Sequence, residues 1–272
     1  MTALYLSMFE LFRPPFAKEV SDEELWLPPS KEQLVADLLE TLEERESVSV
    51  TGDPGVGKNC VLRAVRQQLP TGRFRLTYCH NATLGRRDFY RQLCLALGLA
   101  PNATAAAMFF SVSTHIEQLA AERTHPVLLL DEAHLLHQDT LDHLHILLNY
   151  QWDSKALLSL VLVGLPELGD RLALRRNRSL ASRIHRRLIV GPLTPDDTAE
   201  YVRRRLKLAG ATTDIFQADA LALLHEATAG AMRSIDRLAA EALREAGRRK
   251  KRIVDRSIVA RVIEADEVRE QA

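Results

Sequence analysis

Apolar residues recur along this chain at two spacings, and the spacing changes near residue 194. Short apolar runs at 48–51, 74–78, 127–130 and 157–163 read as strands. Between them, segments at 58–69, 87–97, 109–121 and 140–150 carry leucines and other apolar residues at helical spacing. Short apolar strands separated by helices predict a parallel sheet covered on both faces. Ahead of this region, residues 1–30 read as irregular, with Tyr5, Phe9, Leu11, Phe12 and Phe16 around Pro14-Pro15. Pro28-Pro29-Ser30 then reads as a turn, with Ser30 capping a helix through Leu34, Leu38, Leu39 and Leu42. Thr194-Pro195-Asp196-Asp197 is a second helix start: a threonine cap, proline at the first position, then acids favoured by the helix dipole. Helices at 195–208, 217–228, 232–248 and 255–265 follow, with no strand expected between them and a boundary near Gly191-Pro192. No internal repeat is visible.

Composition narrows the class. With 272 residues, 36 Lys plus Arg and 36 Asp plus Glu, the formal net charge is zero, which excludes a polybasic protein and an acidic tail. The 46% hydrophobic and 26% charged content is that of a globular chain. Cys60, Cys79 and Cys94 form neither a disulfide framework nor a zinc pair, and a reducing, cytoplasmic setting is expected. The longest apolar runs fall short of the roughly 18 residues a membrane span needs. Arg13 and Lys18 follow the first apolar stretch, the reverse of a signal peptide's order. No membrane partner is expected.

The strongest chemical signal is Gly52-Asp53-Pro54-Gly55-Val56-Gly57-Lys58-Asn59. It leaves the 48–51 strand and enters a helix, the setting in which backbone N–H groups and a helix N-terminus cradle phosphates. Lys58 is placed to reach the β- and γ-phosphates of ATP. A hydroxyl residue normally follows this lysine and ligates magnesium. Asn59 stands there instead, with an amide oxygen that is bulkier and reaches differently for a cation that tolerates little deviation. Nucleotide binding with slow hydrolysis is the expectation. Together with Cys60, these eight residues are the expected nucleotide contacts.

A second signal is the apolar strand at 127–130 ending in Asp131-Glu132. An aspartate at a strand's carboxyl end can hold Mg²⁺, with Asn59 as the other protein ligand, and Glu132 can orient or deprotonate the attacking water. Residues 171–188 add seven arginines (171, 175, 176, 178, 183, 186, 187) and no acid. Arg183, then Arg178, are the arginines expected to reach a neighbouring subunit's γ-phosphate. Arg233, at the start of the 232–248 helix, is expected over the same phosphates. His134, His137, His143 and His145 lack a zinc-site spacing, and His134 reads as a neighbour of the nucleotide site.

Taken together, the N-terminal aromatic-proline segment, GDPGVGK, LLLDEAHLL, LVLVGLPEL, the arginine-rich segment and GAMRSIDR resemble AAA+ ATPases over about residues 5–265. More narrowly the chain resembles the ExeA-type group, which includes secretion ATPases and the ATP-binding partners of transposases (TniB/TnsC/IstB-like). The resemblance implies Walker A at 52–59, Walker B at Asp131-Glu132, sensor 2 at Arg233 and sensor 1 at the end of the 157–164 strand. That last position departs from the group: Val163-Gly164-Leu165-Pro166 offers no polar side chain. The implied fold is a P-loop NTPase (AAA+) α/β core at 31–191, a helical lid at 192–272, and an N-terminal extension at 1–30 on the nucleotide site. Secretion members carry a transmembrane segment and a peptidoglycan-binding region after the ATPase; neither is present in this sequence, which favours the transposition branch.

The expected function is therefore an ATP-dependent homo-oligomer that associates with duplex DNA through its backbone and regulates a transposase or integrase. A nucleotide-gated protein adaptor and a secretion-complex ATPase are the alternatives. The DNA expectation rests on two basic stretches, 171–187 and 244–252.

Overall fold

The structure, a computed structural model, describes residues 2–79, 84–101 and 104–270. Met1 and the last two residues, included in the expected N-terminal and helical regions, lie outside it. In chain order the elements are α1 (Thr2–Met8), α2 (Pro29–Glu43), β1 (Ser47–Thr51), α3 (Lys58–Gln68), β2 (Phe74–Cys79), α4 (Arg86–Leu97), α5 (Ala105–Ala121) and β3 (His125–Leu130). After them come α6 (Gln138–Leu147), β4 (Ser159–Gly164), α7 (Glu167–Ala173), α8 (Arg178–Ala181), β5 (Ile184–Ile189), α9 (Pro195–Leu208), α10 (Ala218–Thr228), α11 (Met232–Arg248) and α12 (Arg256–Glu270). The chain divides into two compact units, one of residues Gln33–Asp53 and Val61–Val190, the other of Met1–Glu32, Pro54–Cys60 and Gly191–Ala272.

The first unit is the parallel α/β sheet that the apolar runs predict. Its strand order is β2-β3-β4-β1-β5, and every pairing is parallel. All six residues of β3 and of β4 are buried, because helices cover both faces and leave no side to water. Leu128, Leu130, Leu160 and Leu162 join Leu93, Met108, Ile116 and Leu144 in one core. Each such side chain contributes about 1.5–3 kcal/mol by leaving water. The apolar runs announce four strands, and none falls in the arginine-rich segment. In fact its final part is β5, an edge strand in which Ile184 and Leu188 are buried while His185, Arg187 and Ile189 are exposed.

The second unit is helical. Thr194 caps α9, its side chain accepting the Asp197 N–H, with Pro195 at the first helical position. Leu224, Ile235, Ala239, Leu243, Val254 and Ile258 form its core, which Tyr5, Phe9 and Leu11 complete. The N-terminal stretch is not irregular throughout, since α1 packs on α11 at Gly247. A Cβ there would stand 2.9 Å from the Cβ of Tyr5, so only glycine admits the contact. Ser30 lies inside α2, which starts at Pro29, rather than capping it.

Candidate functional site

Parallel strands end at one edge of a sheet, and the α/β unit gathers its polar chemistry there. Thr51 pairs with Gly164 and Leu130 with Leu162. The chain therefore leaves β1 into Gly52 at the edge where β3 delivers Asp131. The Gly52 N–H donates to the Gly164 carbonyl at 3.3 Å.

Asp131 is half-buried and held at both oxygens. The Tyr78 hydroxyl, from β2, donates to Oδ2 at 2.7 Å, and the Glu132 N–H donates to Oδ1 at 2.9 Å. Burial, followed by the bond to Asp131, pushes the Tyr78 hydroxyl well above its ordinary pKa, so it remains a donor. A carboxylate with two fixed donors at a strand end suits a hard cation that takes oxygen ligands. Glu132 has a left-handed backbone, φ 51°, a conformation unusual for a residue with a side chain and frequent at functional sites. Its side chain is about half exposed, and its Oε2 lies 3.6 Å from Nδ1 of His134. The Leu165 N–H, just after β4, donates to the same Nδ1 at 3.4 Å.

Arg171 of α7 fixes the turn that follows the two acids. Its guanidinium donates to the carbonyls of His134 and Leu136, the latter at 2.6 Å. The Asn177 amide donates to the Arg171 carbonyl at 2.7 Å and accepts from Gln138 at 2.6 Å. No sequence pattern announces Tyr78 or Arg171 in these roles, because each partner lies 35 or more residues away in the chain.

Residues 54–60 belong to the helical unit. Gly55 and Gly57 adopt φ of 82° and 100°, open to glycine without strain. A Cβ on Gly57 would meet Met232 Sδ at 2.6 Å, and one on Gly55 would meet Arg233 Cβ at 3.0 Å. The Arg233 N–H donates to the Gly55 carbonyl at 3.3 Å, so the start of α11 lies against the loop and the exposed Arg233 side chain springs from that contact. Lys58 and Asn59 open α3, at the helix end whose dipole favours anions. Cys60 is buried, and its thiol donates to the Trp26 carbonyl at 3.3 Å. Lys31 is almost fully buried beside Gly57 and donates to the Gly191 carbonyl at 2.6 Å. Burial lowers its pKa. The glycine cradle, the helix start and Lys58 fit a polyphosphate. Asn59 is exposed and supplies an amide oxygen where Mg²⁺ would be ligated.

The arginines divide by their partners. Arg183 donates to Asp153 at 2.7 Å and to the Ser179 carbonyl at 3.1 Å, both within its own chain. Arg178 opens α8 with an exposed side chain. His137 caps α6, and His143 meets Arg86 at 2.8 Å. Among the described residues no group of three or more His, Cys, Asp or Glu side chains is placed to hold a metal. Nor is any described helix long and apolar enough to cross a membrane.

The model of the family described as "AAA domain" matches residues 29–172. The chain belongs to that family. It is also 34% identical over 243 residues to General secretion pathway protein A of Aeromonas hydrophila, covering 88% of this chain and 44% of that protein. It thus spans less than half the length of this relative. Among solved structures it is similar to the Aeropyrum pernix ORC1 protein in complex with DNA, with TM-score 0.67, 20% identity, and coverage of 89% of this chain and 66% of that one. The Thermotoga maritima RuvB Holliday junction branch migration motor gives TM-score 0.61 and 18% identity, covering 93% and 73%. At these identities the structures show the fold: a parallel five-stranded AAA+ P-loop sheet with a helical C-terminal region.

Proposed function

We propose that this AAA+ protein binds Mg-ATP, hydrolyses it slowly, and acts as an ATP-dependent oligomer on duplex DNA to regulate a transposase or integrase. One observation carries the ATPase reading: β1 delivers Gly52, the first residue of the glycine–lysine motif, to the sheet edge where β3 presents Asp131 and Glu132. In this reading residues 31–191 are the ATPase core, 192–272 the lid, and 1–30 an extension beside the phosphate loop. The Cys60–Trp26 contact supports that last assignment. Lys58 neutralises the β- and γ-phosphates, Asp131 and Asn59 hold Mg²⁺, and Glu132 orients the attacking water. Bound Mg²⁺ would supply charge neutralisation on the phosphates. Arg233 adds a cation from the start of α11. Arg178, exposed and on a short helix, is a better candidate than Arg183 for reaching a neighbouring subunit. The likeness to DNA-bound ORC1 supports the DNA part of the reading.

The test is nucleotide binding and turnover in two variants. Lys58→Ala removes charge-assisted hydrogen bonds worth about 1.5–3 kcal/mol, so ATP affinity should fall about tenfold to a hundredfold. Asn59→Thr should raise kcat, and unchanged turnover would reject the role given to Asn59. A second reading, a secretion-complex ATPase working with a membrane partner, is favoured by the identity to General secretion pathway protein A. Co-purification with ATP analogue separates the two: capture of a transposase supports the first, capture of secretion components the second.

A further inference from the structure

The end of β4 and the acids after β3 share one atom. Nδ1 of His134 receives the Leu165 N–H at 3.4 Å and stands 3.6 Å from Oε2 of Glu132. The ring is nearly buried, with 12% of its side chain exposed, against 52% for Glu132. Its backbone cannot drift, because Arg171 grips the carbonyls of His134 and Leu136. Its seat is also made to measure. A Cβ on Gly164 would lie 3.1 Å from the His134 backbone nitrogen and 3.2 Å from Nδ1. The bare backbone at the end of β4 is what admits the imidazole.

We propose that His134 is the positioning residue for Glu132, with its Nδ1 shared between the Leu165 amide and the Glu132 carboxylate. This rests on the reading of Glu132 as the group that orients the attacking water. A neutral imidazole has one donor and one acceptor nitrogen. While Nδ1 accepts from Leu165, its single lone pair is taken by that amide and it offers no hydrogen to the carboxylate, so Glu132 is left to turn toward water. With the proton on Nδ1, the ring donates to Glu132 and releases the Leu165 N–H. A displacement at the end of β4 therefore reaches the glutamate through the ring. The apolar Val163-Gly164-Leu165-Pro166 segment communicates by its backbone amide rather than by a side chain.

The test uses three variants of the full chain. The amide of Asn is bonded to Cγ, as Nδ1 is in histidine, whereas the amide of Gln lies one bond further out. His134→Asn should therefore keep most of the wild-type kcat. His134→Ala and His134→Gln should lower it about tenfold or more, the usual scale for losing a group that orients a catalytic one. ATP affinity should be unchanged in all three. Independently of activity, hydrogen exchange of the Leu165 amide should accelerate in the Ala variant and stay near wild type in the Asn variant. If Ala turns over ATP like wild type, or Gln substitutes as well as Asn, the inference is overturned. If His134→Ala does not fold, the Asn–Gln comparison decides alone. A wild-type chain that fails to bind Mg-ATP overturns the ATPase reading itself, and this inference with it.

Discussion

The two basic stretches look alike as sequence and differ as structure. In the α/β unit the 171–187 arginines are mostly turned to their own chain. Arg171 grips two carbonyls, Arg176 pairs with Asp142, Arg183 with Asp153, and Arg186 with Asp37 and Glu40. In the helical unit the 244–252 stretch lies at the surface, and its pairs are local ones along a helix or turn. Arg244 meets Glu241, Arg248 and Arg249 share Glu245, and Lys251 meets Asp255. The first set ties distant segments together, while the second joins residues three or four apart. A run of like charges in a sequence thus overstates the charge available to a partner, because carboxylates elsewhere in the fold neutralise part of it.

The contrast is sharpest at Arg171. Its removal strips two carbonyls of their donors, and a partly buried acceptor left unmade costs about 1–3 kcal/mol. Arg171→Ala should therefore lower stability by about 2–3 kcal/mol, which corresponds to Tm falling by about 4–12 °C in a chain of this size. It should also lower turnover, since the turn that carries His134 loosens. Arg249→Ala removes an exposed pair, 41% exposed at the arginine, worth about 0–1 kcal/mol. Thermal melts that show equal losses for the two variants would break the comparison.

These differences explain what could be read beforehand. Apart from their first residues, His125 and Ser159, β3 and β4 are apolar because both faces are buried, so they stand out in any hydropathy pattern. β5 does not, since its sequence IHRRLI covers the sheet's edge with one face only and hides among arginines. α1 is short and held by Tyr5 against Gly247, a contact made across more than two hundred residues. The phosphate loop and the Asp131-Glu132 pair were legible because contiguous residues carry them. Tyr78, Arg171 and the seat of His134 were not, since each depends on a partner brought near only by folding.

A second contrast, read in activity rather than stability, separates two arginines inside the first stretch. Arg183 is committed to Asp153 and Ser179, whereas Arg178 presents its side chain to solvent. If a neighbouring subunit's phosphates are reached from this segment, Arg178→Ala should lower ATPase activity by about 10³-fold or more, the scale for a trans-acting arginine, with ATP affinity preserved. Arg183→Ala should act mainly on stability, through the 149–154 turn that Asp153 anchors. Kinetics and melts on both variants decide the assignment, and the reverse pattern would restore Arg183.

The second stretch offers the finest test, because within it the cations are not equivalent. Arg248 and Arg249 share the Glu245 carboxylate, whose pKa their hydrogen bonds lower, that from Arg249 first. Among the described residues Lys250 and Arg252 have no carboxylate partner, and Lys250 sits on a left-handed turn, φ 56°, just past α11. If the oligomer holds duplex DNA by its phosphates, the unpaired cations should contribute more than the paired ones, because a cation already neutralised releases fewer counterions. Each phosphate contact changes the slope of log K against log salt by about 0.9. Charge reversal at Lys250 and Arg252 should flatten that slope by about 2 units, and reversal at Arg248 and Arg249 by less. Fluorescence anisotropy with two unrelated duplexes and an ATP analogue, over a salt series, reads both slopes. Identical slopes for the two double variants would mean that intramolecular pairing does not govern which cations reach DNA. Wild-type binding that ignores salt would mean that the phosphates are not the contact at all.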